Sequence, residues 1–174
     1  MADLNGKNVA IIATNGFEDS ELTSPKEAVE SAGATTKVVS TETGEIEGKK
    51  GAKVAVDAKT ADASADEFDA LILPGGTINA DTIRTDADAV ALVKAFKDAG
   101  KPIGVICHGG WILADADLLK GVKLTSVANV KTDLANAGAN WVDEEVVVDS
   151  GFISSRTPDD LPAFNATIVE EFAK

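Results

Sequence analysis

Apolar residues recur along this chain in two alternating rhythms. The run "NVAIIA" (8–13) is continuously apolar and rich in β-branched residues, as a strand buried on both faces requires. A polar loop follows, "TNGFEDSEL" (14–22), and then a helical pattern. Ser24 can cap it, Pro25 suits the first helical position, Glu27 completes a capping box and Gly33 ends it. "TTKVVS" (35–40) predicts a second strand and "KVAVD" (53–57) a short one, with "TETGEIEGKKG" (41–51) as turns between them. The alternation then repeats. "DALILPGG" (69–76) is a strand running into a Gly-Gly turn, and Ala89, Leu92, Val93 and Phe96 lie at helical spacing within 86–99, before Gly100. "KPIGVI" (101–106) is a strand that breaks at Cys107, and "GWILADADLL" (110–119) predicts a helix. Later strands are expected at 123–127, 139–149 and 151–155, with a short helix over 130–138. Leu161, Phe164, Ile168 and Phe172 mark an amphipathic closing helix. Strands alternating with helices predict an α/β sandwich with a mostly parallel sheet and helices on both faces. No repeat, low-complexity tract or linker interrupts the pattern, so residues 1–174 read as one domain.

Composition changes this picture little. The chain is 44% hydrophobic and 26% charged, ordinary values for a globular protein. No apolar run approaches the roughly 18 residues that span a bilayer, and the N-terminal residues carry no export-signal pattern. One cysteine forms no internal disulfide, which fits a reducing cytoplasm. The net charge of −13 is spread along the chain and repels nucleic acid and anionic membranes, so neither is an expected partner.

The chemistry concentrates at one point. The only cysteine, Cys107, is followed by the only histidine, His108, an adjacency that random placement gives about once in a hundred chains. Cys107 lies between an apolar strand and a helix with Gly109 and Gly110 just after it, the pattern of an elbow that lifts a nucleophile above a sheet. A buried cysteine acting as a small hydrophobe is the plainer alternative. His108 is either the base that activates the thiol or a surface histidine beside it. Gly75 and Gly76 end the middle strand, where backbone N–H groups can bind a substrate oxygen or simply make a turn. Glu18, in the exit loop of the first strand, is either a partner of the thiolate or a solvated loop acid that caps a helix together with Asp19 and Ser20. One Cys and one His are too few for a zinc site, and neither a dinucleotide fingerprint nor a P-loop is present; no metal or cofactor is expected.

With those residues in view, the chain resembles the PfpI family, the intracellular-protease-like branch of a superfamily that includes a parkinsonism-associated deglycase and shares the type 1 glutamine amidotransferase-like fold. "NGFEDSEL", "DALILPGG", "GKPIGVICHGGW", "TDLANAGANWVDEEVVVD" and "SSRTPDDLPAF" carry the resemblance in order along nearly the whole length. It implies a flavodoxin-like three-layer sandwich that assembles as a homodimer or a hexamer of dimers. It matches Cys107 to the family nucleophile, His108 to the histidine after it, Glu18 to the acid that contacts the nucleophile, and Gly75 and Gly76 to the glycines facing it. Asp81 takes the place, by spacing, of the acid that completes a triad from a neighbouring subunit. Asp where Glu is usual, and Gly110 where proline is frequent, are departures.

Three functions follow as expectations. The first is a cysteine-dependent, glyoxalase III- or deglycase-type enzyme acting on reactive carbonyls, with Cys107 as nucleophile and Glu18 moving protons between the neighbouring carbons. The second is a peptidase using Cys107, His108 and Asp81, with Gly109 and the paired glycines near the oxyanion. The third is a non-catalytic, redox-sensing or chaperone-like stress protein.

Overall fold

A computed structural model describes residues 2–174. The chain begins with β1 (Asn8–Ile12), α1 (Asp19–Ser31) and β2 (Thr35–Ser40). A hairpin of β3 (Gly44–Glu47) and β4 (Lys53–Val56) precedes the two-residue β5 (Ala58–Lys59). Next come β6 (Ala70–Leu73), α2 (Thr77–Ile83), α3 (Ala87–Asp98) and β7 (Ile103–Ile106). A 3₁₀ turn over Cys107–Gly110 continues into α4 (Trp111–Asp115). β8 (Lys123–Leu124), α5 (Lys131–Asn136), β9 (Asn140–Trp141), β10 (Val147–Asp149), β11 (Phe152–Ser155) and α6 (Leu161–Phe172) follow.

Seven strands form one sheet in the order β10-β11-β7-β6-β1-β2-β5. Neighbours run parallel throughout except β10 against β11. Along β1, Ala10 and Ile12 join Leu71, Leu73, Val105, Leu92, Phe96 and Leu113 in one buried cluster. Val9 and Ile11 join Val29, Ile72, Phe164, Ile168 and Phe172 in another. Residues of α1 and α6 thus cover one face, and residues of α3 and α4 the other. Burial on both faces explains the unbroken apolar runs, and the three-layer, mostly parallel sandwich is the architecture the alternation predicts.

Several local expectations fail for physical reasons. Helix α1 begins at Asp19 rather than near Ser24, with Pro25 inside it. The Asp19 carboxylate accepts the backbone N–H groups of Lys50 at 2.9 Å and Ala52 at 2.8 Å, and Leu22 is completely buried. These long-range contacts outweigh the hydrogen bond that the proline ring removes from the helix. The segment expected as turns contains β3, whose Ile46 is buried. Residues 139–149 do not form one strand: Asn140–Trp141 pairs with β8, and Val147–Asp149 with β11. The acids Asp143, Glu144 and Glu145 lie between the two pairs.

At the start of α6 the buried Asp160 holds Arg156. Its Oδ2 accepts the Arg156 backbone N–H and Nε at 2.9 Å, its Oδ1 accepts Nη2 at 3.0 Å, and the guanidinium reaches Asp143 as well. These donors hold the Asp160 carboxyl below its ordinary range despite burial. Asp160→Asn is expected to lower the melting midpoint by roughly 3–6 °C at pH 7, the effect of losing charge-assisted hydrogen bonds in a chain of this size. Because the folded pKa is depressed, the stabilisation is full above about pH 4 and is lost as pH falls through the folded pKa. Calorimetry of both proteins across that range should show the two midpoints converging in acid.

Candidate active site

Strands β1, β6 and β7 are neighbours in the sheet and parallel, so the loops leaving their carboxyl ends meet at one edge. Ligands in open α/β sheets bind along such an edge. The chain turns there at Cys107, whose φ of 61° lies in the left-handed region, a strained conformation for a residue with a side chain. Gly109 permits the sharp turn, since a Cβ on it would lie 2.5 Å from the Leu73 carbonyl oxygen. The bend described by the sequence pattern is therefore present, with Cys107 partly buried.

His108 turns back toward the sulfur. Its Nδ1 is 3.4 Å from Cys107 Sγ and its Nε2 is 3.3 Å from Thr77 Oγ1. The ring meets Trp111 edge-on at 5.3 Å. Trp111 donates its indole N–H to Asp133 at 2.9 Å and lies under the Arg84 guanidinium, which pairs with Asp115 at 2.7 Å. Burial, and then the charge of Lys49, hold the imidazole below its ordinary pKa. It is therefore neutral at pH 7, with one donor and one acceptor nitrogen.

The acid that meets the sulfur is not the expected one. Glu18 flanks the start of α1, and its carboxylate pairs with Lys49 and, at 3.2 Å, with Lys50. Glu21, inside the first turn of α1, is completely buried. Its Oε1 accepts the Gly75 N–H at 3.0 Å, and its carboxyl group interacts with the Cys107 thiol. Oε2 is buried and has no hydrogen-bond partner among the described residues. The correction follows from the early start of α1: once residue 19 is helical, residue 21 points inward while residue 18 stays at the rim.

Gly75 separates the two reactive groups. A Cβ there would lie 2.5 Å from Glu21 Oε1 and 2.8 Å from Cys107 Cβ, so only glycine fits. Its N–H is committed to Glu21 and is not free to receive a substrate oxygen. Gly76, at φ 92°, is wedged against the Gly16 carbonyl and the Glu18 backbone N. Asp81 is exposed on α2, one turn beyond Thr77, and makes no hydrogen bond or ion pair among the described residues. Within the chain, Thr77 rather than Asp81 meets His108. No three His, Cys, Asp or Glu side chains among the described residues gather as a metal site.

Two acids in one crevice resist ionising together. Burial and the nearby Glu18 charge push Glu21 up to about 7. Burial and the Glu21 charge push the Cys107 thiol up to about 12. The pair therefore loses one proton near neutrality and holds the second tightly. The single negative charge can reside on carboxylate beside thiol or on thiolate beside carboxylic acid. In the second form the carboxylic acid donates to the sulfur. Sequence reasoning missed Glu21, Thr77 and Lys49; an earlier helix start is the one signal that would have exposed Glu21.

Residues 7–171 match the model of the DJ-1/PfpI family. An uncharacterized protein of Staphylococcus saprophyticus is 52% identical over 168 residues, 95% of this chain and 97% of that one. A Bacillus subtilis protein bearing the provisional name cysteine protease YraA is 46% identical over 160 residues, 91% of this chain and 94% of that one. A crystal structure from Anabaena variabilis, a two-domain protein with DJ-1/ThiJ/PfpI-like and ferritin-like domains, superposes with a TM-score of 0.92 at 35% identity. It covers 94% of this chain, which spans 49% of that longer one. No helix among the described residues is long and apolar enough to cross a membrane.

If Glu21 and Cys107 share a proton, alkylation of Cys107 should rise in one step near pH 7 and then level off. The thiolate share of the singly charged pair does not depend on pH. Glu21→Gln abolishes that step, because the amide cannot ionise, and leaves a thiol titrating below about 12, freed of its like-charged neighbour. Iodoacetamide kinetics against pH, followed by mass spectrometry, would read both profiles; identical curves would remove the coupling.

Proposed function

Because the chain belongs to the DJ-1/PfpI family, we propose that it is a cysteine-dependent enzyme converting small α-oxoaldehydes, such as methylglyoxal, into 2-hydroxy acids. The observation that carries this reading is the buried Glu21 carboxyl, fixed by the Gly75 N–H and facing Cys107 with a pKa near the working pH. Proton transfer is most efficient from a group so matched.

In the proposed sequence, the Cys107 thiolate adds to the aldehyde carbon, and the oxygen takes a proton from the Glu21 carboxylic acid, giving a hemithioacetal. The Glu21 carboxylate then removes the hydrogen from that carbon as a proton, and the electron pair moves to the neighbouring carbonyl. The hydroxyl on the first carbon passes its proton to the new oxyanion, leaving an enediolate with its charge on the first carbon's oxygen. Reprotonation at the adjacent carbon by Glu21 yields a thioester. Water displaces the sulfur, releasing the hydroxy acid and restoring the thiol. The sum is oxoaldehyde plus water to hydroxy acid, with no change in total oxidation state. His108, neutral and bonded to Thr77, orients the sulfur and supplies a hydrogen bond.

The peptidase reading, which the name of the Bacillus relative favours, needs more. Amide cleavage requires a protonated base to release the amine and a carboxylate to orient it. The only imidazole has a depressed pKa and faces a threonine hydroxyl. Asp81 enters this reading only from a second subunit, in the dimer or hexamer that family membership supports. The same proposal places the protein in the cytoplasm, with no cofactor.

Cys107→Ser and Glu21→Gln are each expected to lower hydroxy-acid formation from methylglyoxal at least 100-fold, the range that general acid–base catalysis spans. Glu18→Gln leaves the Glu21–Cys107 contact in place and should cost at most about tenfold. Undiminished turnover by Cys107→Ser would sink the proposal. Cleavage of an unfolded peptide that is lost in Asp81→Ala would install the peptidase in its place. A protein with neither activity, whose Cys107 oxidises readily under mild peroxide, would be the stress sensor.

A further inference from the structure

We propose that Lys49 and Lys50, at the tip of the β3–β4 hairpin, form an anion-recognising rim beside Cys107, and that the carbonyl substrates of this site carry an anionic group. The proposal takes the word substrate from the reading above; the rim itself rests on separate observations.

The tip is a fixed element rather than a free loop. Lys49 donates its backbone N–H to the Phe17 carbonyl at 3.0 Å, and Gly16 donates to Glu47 at 2.8 Å. Asp19 clasps the backbone N–H groups of Lys50 and Ala52. Gly48 sits so close beneath this clasp that a Cβ would come within 2.5 Å of Asp19 Oδ1. The loop held in this way is itself tied to the glycine turn under Cys107, because Glu18 donates its N–H to the Gly75 carbonyl at 3.2 Å. Two successive lysines are thereby delivered to the strand-end crevice, where the charge of Lys49 acts on Glu21, Cys107 and His108.

The placement of the charges favours an anion. The two exposed ammonium groups share the buried carboxylate of Glu18, and the other negative charge of the crevice sits with the completely buried Glu21 behind them, so an approaching anion meets ammonium first, in a chain whose total is −13. One lysine would suffice to neutralise Glu18. The side chains are 50% and 70% exposed, so an ammonium can leave Glu18 for an incoming anion without backbone movement. Exposed charges of one sign at the mouth of a cleft, with the opposite charges buried beneath them, raise the local concentration of oppositely charged ligands by about tenfold.

The test compares two alkylating agents of nearly equal size, anionic iodoacetate and neutral iodoacetamide. In the wild type the iodoacetate-to-iodoacetamide rate ratio at Cys107 should exceed that of a free thiol peptide by about tenfold. It should collapse toward the free value in Lys49→Gln/Lys50→Gln and in salt of about 0.5 M, and remain in Lys120→Gln, an exposed lysine elsewhere. Any change in thiol ionisation alters both rates alike and cancels in the ratio. Turnover of 4-carboxyphenylglyoxal relative to phenylglyoxal should follow the same order. A ratio equal to that of the free peptide and indifferent to the lysines overturns the rim, even if both glyoxals are consumed. A high, lysine-dependent ratio with neither glyoxal consumed retains the rim and removes the proposed reaction.

Discussion

The site depends on one contact, the buried carboxyl of Glu21 against the sulfur of Cys107. Two acids placed together away from water cannot both be charged, so each sets the protonation of the other. Left alone, both would stay protonated and inert. The Gly75 N–H, aimed at Oε1, and the ammonium of Lys49 nearby make one negative charge tolerable at neutral pH. In the proposed reaction, a buried proton shared between an oxygen and a sulfur lets a nucleophile and an acid arise in the same step.

The fold makes that contact from three distant segments. Adjacent parallel strands bring their exit loops to one edge, which places residues 14–21, 74–76 and 107–110 within reach of one another. Each loop gives up something locally. Cys107 takes a left-handed backbone, Gly75 forgoes a side chain, and α1 carries Pro25 in its interior. Steric demand ties these together. Any side chain on Gly75 would separate Glu21 from Cys107, and any on Gly109 would push the elbow away from the end of β6. The local conflicts between sequence preference and conformation thus cluster where the chemistry lies.

Much of the architecture was legible because parallel strands buried on both faces leave apolar runs, as at 9–13, 70–73 and 103–106. The elbow was legible too, since an apolar strand stopping at a reactive residue followed by two glycines has few other readings. The acid was not. "FEDSEL" offers glutamates at 18 and 21, and the choice between them turns on where α1 begins. That point is set by Asp19 binding backbone N–H groups more than 30 residues away. β3 escaped notice because only Ile46 breaks a polar stretch, and the partner that hides it is supplied by the fold. Asp81 satisfied a spacing; on α2 it meets no hydrogen-bond or ion-pair partner among the described residues, while Thr77 one turn earlier takes the histidine.

The neutral histidine favours the proposed carbonyl chemistry over the peptidase reading of the same Cys-His pair. An imidazole that is to carry a proton from a thiol to a leaving amine must be stable as a cation, and a carboxylate at its far nitrogen provides that stability. Here the far nitrogen meets a hydroxyl, burial disfavours the cation, and the field of Lys49 acts in the same direction. Two influences thus oppose protonation of His108, and the hydroxyl carries no charge to offset them. Glu21 is tuned the opposite way: burial raises its pKa until gain and loss of a proton near pH 7 are almost equally easy. Addition to an aldehyde has no amine to expel and needs a single group able to give and retrieve a proton between adjacent carbons. The distribution of basicity, with the carboxylate poised and the imidazole suppressed, suits the proposed reaction better than amide cleavage.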